Sequence, residues 1–228
     1  MQHSFDLYGR RNRIFLPGIL NRIVFLNLAI GDLQDAIRKG VNDETLGTAL
    51  ARVVSRIFCI AEHFQNLPFV EVLARKYPAS RCSYCGKIPC CCPERRLESQ
   101  IAASPDPSQL TWNLSDWTQH LDQLYGERNR HKGIENVINR LFKEISELLS
   151  LSMEIATTPS PRTHNEIEEE FALELSDALA WTIATANILR IDLEAAFLDR
   201  YGNGCRTCKS SPCQCTNFAV TPVRWVSV

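Results

Sequence analysis

Residues 134–149 read IENVINRLFKEISELL, and their apolar spacing sets the fold class. Ile134, Ile138, Leu141, Ile145 and Leu148 recur at four- and three-residue steps, which puts them on one face of an amphipathic helix. A second helix is expected over about 166–189, with Phe171, Leu175, Ala178, Thr182 and Ile183 on one side. Asp192 suits the N-cap of a shorter third helix ending near Gly202, and a short helix from Ser115 to Tyr125 precedes the set. Strand signals are weak throughout, so the expectation is an all-α helical bundle.

Upstream, the same text recurs. Leu7-Tyr8-Gly9 returns as Leu124-Tyr125-Gly126, Arg11-Asn12-Arg13 as Arg128-Asn129-Arg130, and Gly18 to Asn21 as Gly133 to Asn136. Leu73 to Tyr77 echoes Leu198 to Tyr201 with a small gap. Such repetition reads as a tandem duplication, with the two copies packed as a pseudo-dimer. Copy one covers 1–92, a linker centred on Ser104-Pro105-Asp106-Pro107-Ser108 covers 93–111, copy two covers 112–216, and a tail covers 217–228. Copy one should form helices over about 18–39, 43–65 and 68–77, with Lys39-Gly40 as a C-terminal stop and Pro68 at a helix start. Thr157 to Asn165 lengthens a loop in copy two alone.

The chain has 228 residues, 45% hydrophobic and 22% charged, which excludes a disordered chain. A net charge of -1 supplies no global field for nucleic acid. The nearly apolar run Ile23 to Ile30 is broken by Asn27 and is too short to span a bilayer. Met1 to Arg13 has no apolar segment of the secretory kind, so a cytoplasmic protein is the expectation.

Ten cysteines in that setting point to metal before disulfides. Cys82, Cys85, Cys90 and Cys92 are spaced C-x2-C-x4-C-x-C, and Cys205, Cys208, Cys213 and Cys215 repeat the spacing. Four thiolates suit a closed structural Zn²⁺ site; disulfides or an iron–sulfur cluster are the competing uses. Cys91 falls outside the pattern, as does Cys59, which reads as a small core residue.

Glu144 and Glu147 share one face of the first long helix, and Glu174 and Asp177 share a face of the next. On its own, Glu-x-x-Glu is commonplace on solvated helix faces. Here Glu144 continues the stripe Val137, Leu141, Leu148, and Asp177 continues toward Trp181, Ala184 and Ile188. Carboxylates converging beside an apolar seam would repel and lose hydration, at several kcal/mol for one buried unpaired charge. Divalent cations with a taste for hard oxygen ligands, Mg²⁺ or Mn²⁺, remove that cost. The run Glu168-Glu169-Glu170 reads as an ordinary solvated face.

With these residues in place, the chain resembles the MazG-like, all-α nucleoside triphosphate pyrophosphohydrolases, whose signature is ExxE, a variable gap, then ExxD. Glu144-x-x-Glu147 and Glu174-Leu-Ser-Asp177 match it, as does the text Lys143 to Leu149 and Ile191 to Ala195. The resemblance covers about 112–202 and, more weakly, copy one; the cysteine clusters lie outside it. It implies that Glu144, Glu147, Glu174 and Asp177 are catalytic and hold Mg²⁺ or Mn²⁺. The reaction implied converts a nucleoside triphosphate to monophosphate and pyrophosphate. It also directs attention to Arg200, Tyr201 and Asn203 as substrate contacts, and Arg128 and Asn129 of a local basic run, Lys143 and Trp181 are further candidates beside the acids. Three of these, Arg128, Asn129 and Trp181, have a bland alternative. Arg128 to Lys132 is either a phosphate-facing run or an exposed turn, and Trp181 either stacks on a base or packs in the core.

Aligned on the repeat, Glu144, Glu147, Glu174 and Asp177 correspond to Ala29, Asp32, Leu50 and Val53. Copy one therefore reads as a degenerate half that supplies a partner surface, giving one working site per chain. Two such pseudo-dimers could pair again as a homodimer. The competing readings are a catalytically weak nucleotide- or metal-binding sensor, and a zinc-knuckle nucleic-acid binder.

Overall fold

The structure, a computed structural model, describes residues 18–62, 69–92, 105–156, 162–204 and 208–210. Within them lie six α-helices and one 3₁₀ turn, and no strand among the described residues. The helices are α1 (Ile19–Lys39), α2 (Asp43–Ala61), α3 (Phe69–Lys76), α4 (Leu114–Ala156), α5 (His164–Leu189) and α6 (Leu193–Tyr201), with the 3₁₀ turn Pro107–Thr111 before α4.

Local signals explain most boundaries. Gly40 sits at φ 61° and its N–H reaches back to the Ala36 and Ile37 carbonyls, closing α1 in a backbone shape that glycine adopts without strain. Asn42 caps α2 by accepting from the Thr45 N–H at 3.0 Å, and Asp192 caps α6 by accepting from the Ala195 N–H at 2.9 Å. Thr163 and Glu166 form a reciprocal capping box, so α5 starts at His164. Pro68 lies outside the described residues, as do 157–161 of the copy-two loop.

One expectation needs correction. The short helix placed at 115–125 and the turn considered at 128–132 are one helical run. It continues to Ala156, broken at Gly133, where φ 79° and ψ 165° leave the helical region. Removing the turn turns Arg128, Asn129 and Lys132 into helix positions with a fixed facing.

A single apolar core runs through both halves, from Ile23, Leu26 and Leu33 of α1 to Leu141, Leu148, Phe171 and Ile183 of α4 and α5. The largest packing is α4 on α5 and then α1 on α2. Contacts between the halves are exchanged: α6 packs on α2, and α3 packs on α5. Phe58 meets Phe197 edge-on at 5.8 Å, and a Cβ on Gly47 would come within 3.0 Å of the Ala196 Cβ. Cys59 is buried in this core, as its isolation in the sequence suggested. No described helix is long and apolar enough to cross a membrane.

Candidate functional site

The α4 segment after Gly133 buries Val137, Leu141 and Leu148, and the stripe carries Glu144 down with them to 1% exposure. From α5, Asp177 is buried and Glu174 is half-buried. One carboxylate oxygen from each of Glu144, Glu174 and Asp177 lies within 4.8 Å of the others, a grouping able to hold a cation. Burial, then the Asp177 charge, then hydrogen bonds with Glu147 and Glu174 push the Glu144 carboxyl up to about 8. Burial also raises Glu174, against the pull of Lys76. The Glu144 Oε2 is buried with no hydrogen-bond partner among the described residues.

Glu147 stands apart from this trio. It accepts from Lys143 one turn earlier on α4, at the half-exposed edge of the seam. The sequence quartet is thus three converging carboxylates with Glu147 beside them, near enough to help raise the Glu144 carboxyl.

The other wall comes from the first half. The Lys76 ammonium lies 2.9 Å from Asp177 Oδ2 and donates to the Leu173 carbonyl at 2.8 Å. The Tyr77 hydroxyl donates to Asp177 Oδ1. Burial, with the Asp177 charge second, holds that phenol well above its usual pKa, so it stays a donor. The Tyr77 carbonyl is itself held by Gln109 Nε2 at 2.9 Å, while His120 Nε2 lies 3.3 Å away. Gln109 is fully buried, and it belongs to the end of the stretch read as a linker.

Beside Asp177 opens a cavity of about 370 Å³. Its cationic lining is Lys76, Arg128, Lys132 and Arg140, with His131 alongside. Asn129 and Asn136 add amide groups, and Tyr77, Tyr84, Tyr125 and Trp181 add aromatic faces. Trp181 packs against the core and also lines the cavity. Lys143 is engaged with Glu147 and is absent from the lining. Arg200 and Asn203 are absent from it too; Arg200 Nε donates to the Tyr201 hydroxyl at 3.1 Å.

Cys82, Cys90 and Cys92 line the same cavity. The sulfurs of Cys82, Cys85, Cys90 and Cys92 converge within 4.8 Å of one another, and Cys91 is exposed outside the group. Burial opposes ionisation, but N–H groups of Lys87 and Cys91 and the thiols of Cys92 and Cys82 bring Cys85 down to about 6. Of the second cluster, Cys208 is described and half-buried, while Cys205, Cys213 and Cys215 lie outside the described residues.

Sequence reasoning missed Lys76, Tyr77, Tyr125, Asn136 and Arg140 as site residues. The signal for Tyr77 was present in its echo of Tyr201, and that for Arg140 in the spacing Arg128, Lys132, Asn136, Arg140 along α4. Comparison with protein-family models, with curated proteins and with solved structures finds no match.

Proposed function

We propose that the chain is a metal-dependent nucleotide pyrophosphohydrolase, cleaving a nucleoside triphosphate or related nucleotide to monophosphate and pyrophosphate. The observation that carries this reading is the adjacency of two opposite environments. Three carboxylates converge in the seam, and Asp177 at their edge opens onto a cavity lined by four fixed cations and four aromatic rings. An acidic trio alone would bind a cation, and a basic pocket alone would bind an anion. Side by side they suit a metal–polyphosphate, with aromatic faces for the base.

The donor set fits Mg²⁺ or Mn²⁺: all three are hard oxygens, Glu144 keeps a buried oxygen without a hydrogen bond, and its proton is retained until about pH 8. Held by Glu144, Glu174 and Asp177, such an ion supplies neutralisation of phosphate charge and acidification of water. The chain's own residues do the rest. Lys76 and Tyr77 hold Asp177 in place from the opposite half. Arg128, Lys132 and Arg140 attract the phosphate chain along one side of α4. Glu147, bonded to Glu144 and tethered by Lys143, is suited to orient or deprotonate the attacking water.

The exchanged packing of α3 on α5 and α6 on α2 supports a pseudo-dimer of duplicated halves, in which the first half is a wall and the second carries the acids. Zn²⁺ is the metal proposed for the sulfur site. The deciding experiment is a nucleotide panel with Mg²⁺ and Mn²⁺, products resolved by chromatography. Pyrophosphate release that vanishes in Glu144→Gln is the expected result. Absence of release from every nucleotide, with Mg²⁺ affinity unaltered by Glu144→Gln, refutes the reading.

A further inference from the structure

The sulfur cluster is a side of the cavity, and α4 grips it at three points. The Cys90 N–H donates to the Leu124 carbonyl at 2.9 Å. The Tyr125 hydroxyl approaches Cys82 Sγ at 3.9 Å, and Arg128 Nη1 approaches Cys90 Sγ at 3.7 Å. The Arg128 guanidinium also stands over the Tyr125 ring, 4.8 Å from its centroid. Arg128 is therefore fixed from two directions while it lines the cavity. A guanidinium has further N–H donors beyond the one spent on sulfur.

The sulfur spacing is that of a tetrahedral metal site. Cys82 Sγ lies 3.5 Å from Cys90 Sγ and 3.7 Å from Cys92 Sγ. Zinc–sulfur bonds of about 2.3 Å in a tetrahedron set sulfurs roughly 3.8 Å apart. With Zn²⁺ bound, four thiolates keep an excess of negative charge, which strengthens the N–H···S contact to Arg128. Lining the same cavity as Cys82, Cys90 and Cys92, Arg128 sets a positive charge against that negative one.

We propose that a zinc ion on Cys82, Cys85, Cys90 and Cys92 positions Arg128, so that filling or emptying this sulfur site sets how tightly the cavity holds a phosphate chain. The inference rests on the nucleotide reading above and adds a regulator to the same site. Metal loss removes the sulfur anchor, releases the guanidinium from its fixed orientation, and loosens the cavity wall.

The test uses the full chain, inorganic tripolyphosphate with excess Mg²⁺ as the probe, calorimetry for affinity and mass spectrometry for zinc content. Cys85→Ser is expected to lose one zinc per chain relative to the parent and to bind tripolyphosphate about tenfold more weakly. Arg128→Ala should keep its zinc and weaken binding by a similar factor. The double variant should be no weaker than either, because both changes act through one contact. Should Cys85→Ser misfold by circular dichroism, a zinc-selective chelator on the parent chain replaces it, and zinc re-addition should restore the affinity. Unchanged zinc content in a folded Cys85→Ser, affinity indifferent to zinc, or fully additive losses would each overturn the proposal. If nucleotide turnover persists while affinity ignores zinc, this inference alone fails. If the parent chain neither binds the probe nor releases pyrophosphate, the nucleotide reading fails with it.

Discussion

Where the second half carries Glu144, Glu174 and Asp177, the repeat alignment gives the first half Ala29, Leu50 and Val53. All three first-half residues are buried in the apolar core, with Leu50 and Val53 at 0% exposure. The two sets of positions differ in what fills them. One is closed with hydrocarbon. The other holds carboxylates, and burial together with the Asp177 charge pushes one of them, Glu144, up to about 8. The fourth pair differs in degree: Asp32 is exposed and paired with Arg52 at 2.8 Å, whereas Glu147 pairs with Lys143 at the seam edge and keeps its Oε2 buried. Charges at the rim are cheap and survive; charges at the centre need a reason.

Putting the second half's chemistry into the first is the harshest challenge to this contrast. Val53→Asp buries a charge with no cation built to meet it, and should cost about 4 kcal/mol in urea unfolding. A loss under about 1 kcal/mol would mean that the first seam tolerates charge and the contrast is empty. Lys76→Met strips the buried cation from Asp177 and should cost about 3 kcal/mol. It should also depress pyrophosphate release, and Lys76→Arg should recover more of that release than Met does.

Glu144→Gln should reduce turnover by more than about 100-fold, since losing a ligand outweighs the 10- to 100-fold typical of losing its supporting partner. The same change should leave the metal-free fold as stable or more so, because it removes a buried ionisable group. Pyrophosphate release with Mn²⁺ and thermal melts in chelator read the two effects separately.

The pH dependence follows from the same carboxyl. Its ordinary value is 4.5 and the folded value is about 8, so between them the folded chain keeps a proton that the unfolded chain releases. Its contribution is complete below about pH 4.5 and is lost as pH rises through about 8, so metal-free stability declines across that window. Mg²⁺ should oppose the decline, and Glu144→Gln should flatten this component of the urea midpoint profile. The smallest effect belongs to Asp32→Asn, which breaks an exposed pair: under about 0.5 kcal/mol, with Mn²⁺ binding intact.

Helix type and most ends were legible because they depend on neighbours a few residues away. The 141, 145, 148 spacing, the Asp192 cap and the Gly40 stop are contained in short windows of text. The acids beside an apolar stripe were legible for the same reason, since a helix turns residues three and four apart to one side. What short windows do not contain is the meeting of distant segments. That Tyr77 donates to Asp177, that Gln109 from the presumed linker braces Tyr77, and that Arg128 touches Cys90 are matters of packing across tens of residues. The chain's text thus determined an all-helical protein with acid and thiol clusters. Only the tertiary structure decided that Glu147 stands beside the converging trio and that the sulfur cluster and Asp177 border one cavity. Helix periodicity is local, whereas the choice of which faces meet is made by burying apolar area over the whole chain at once.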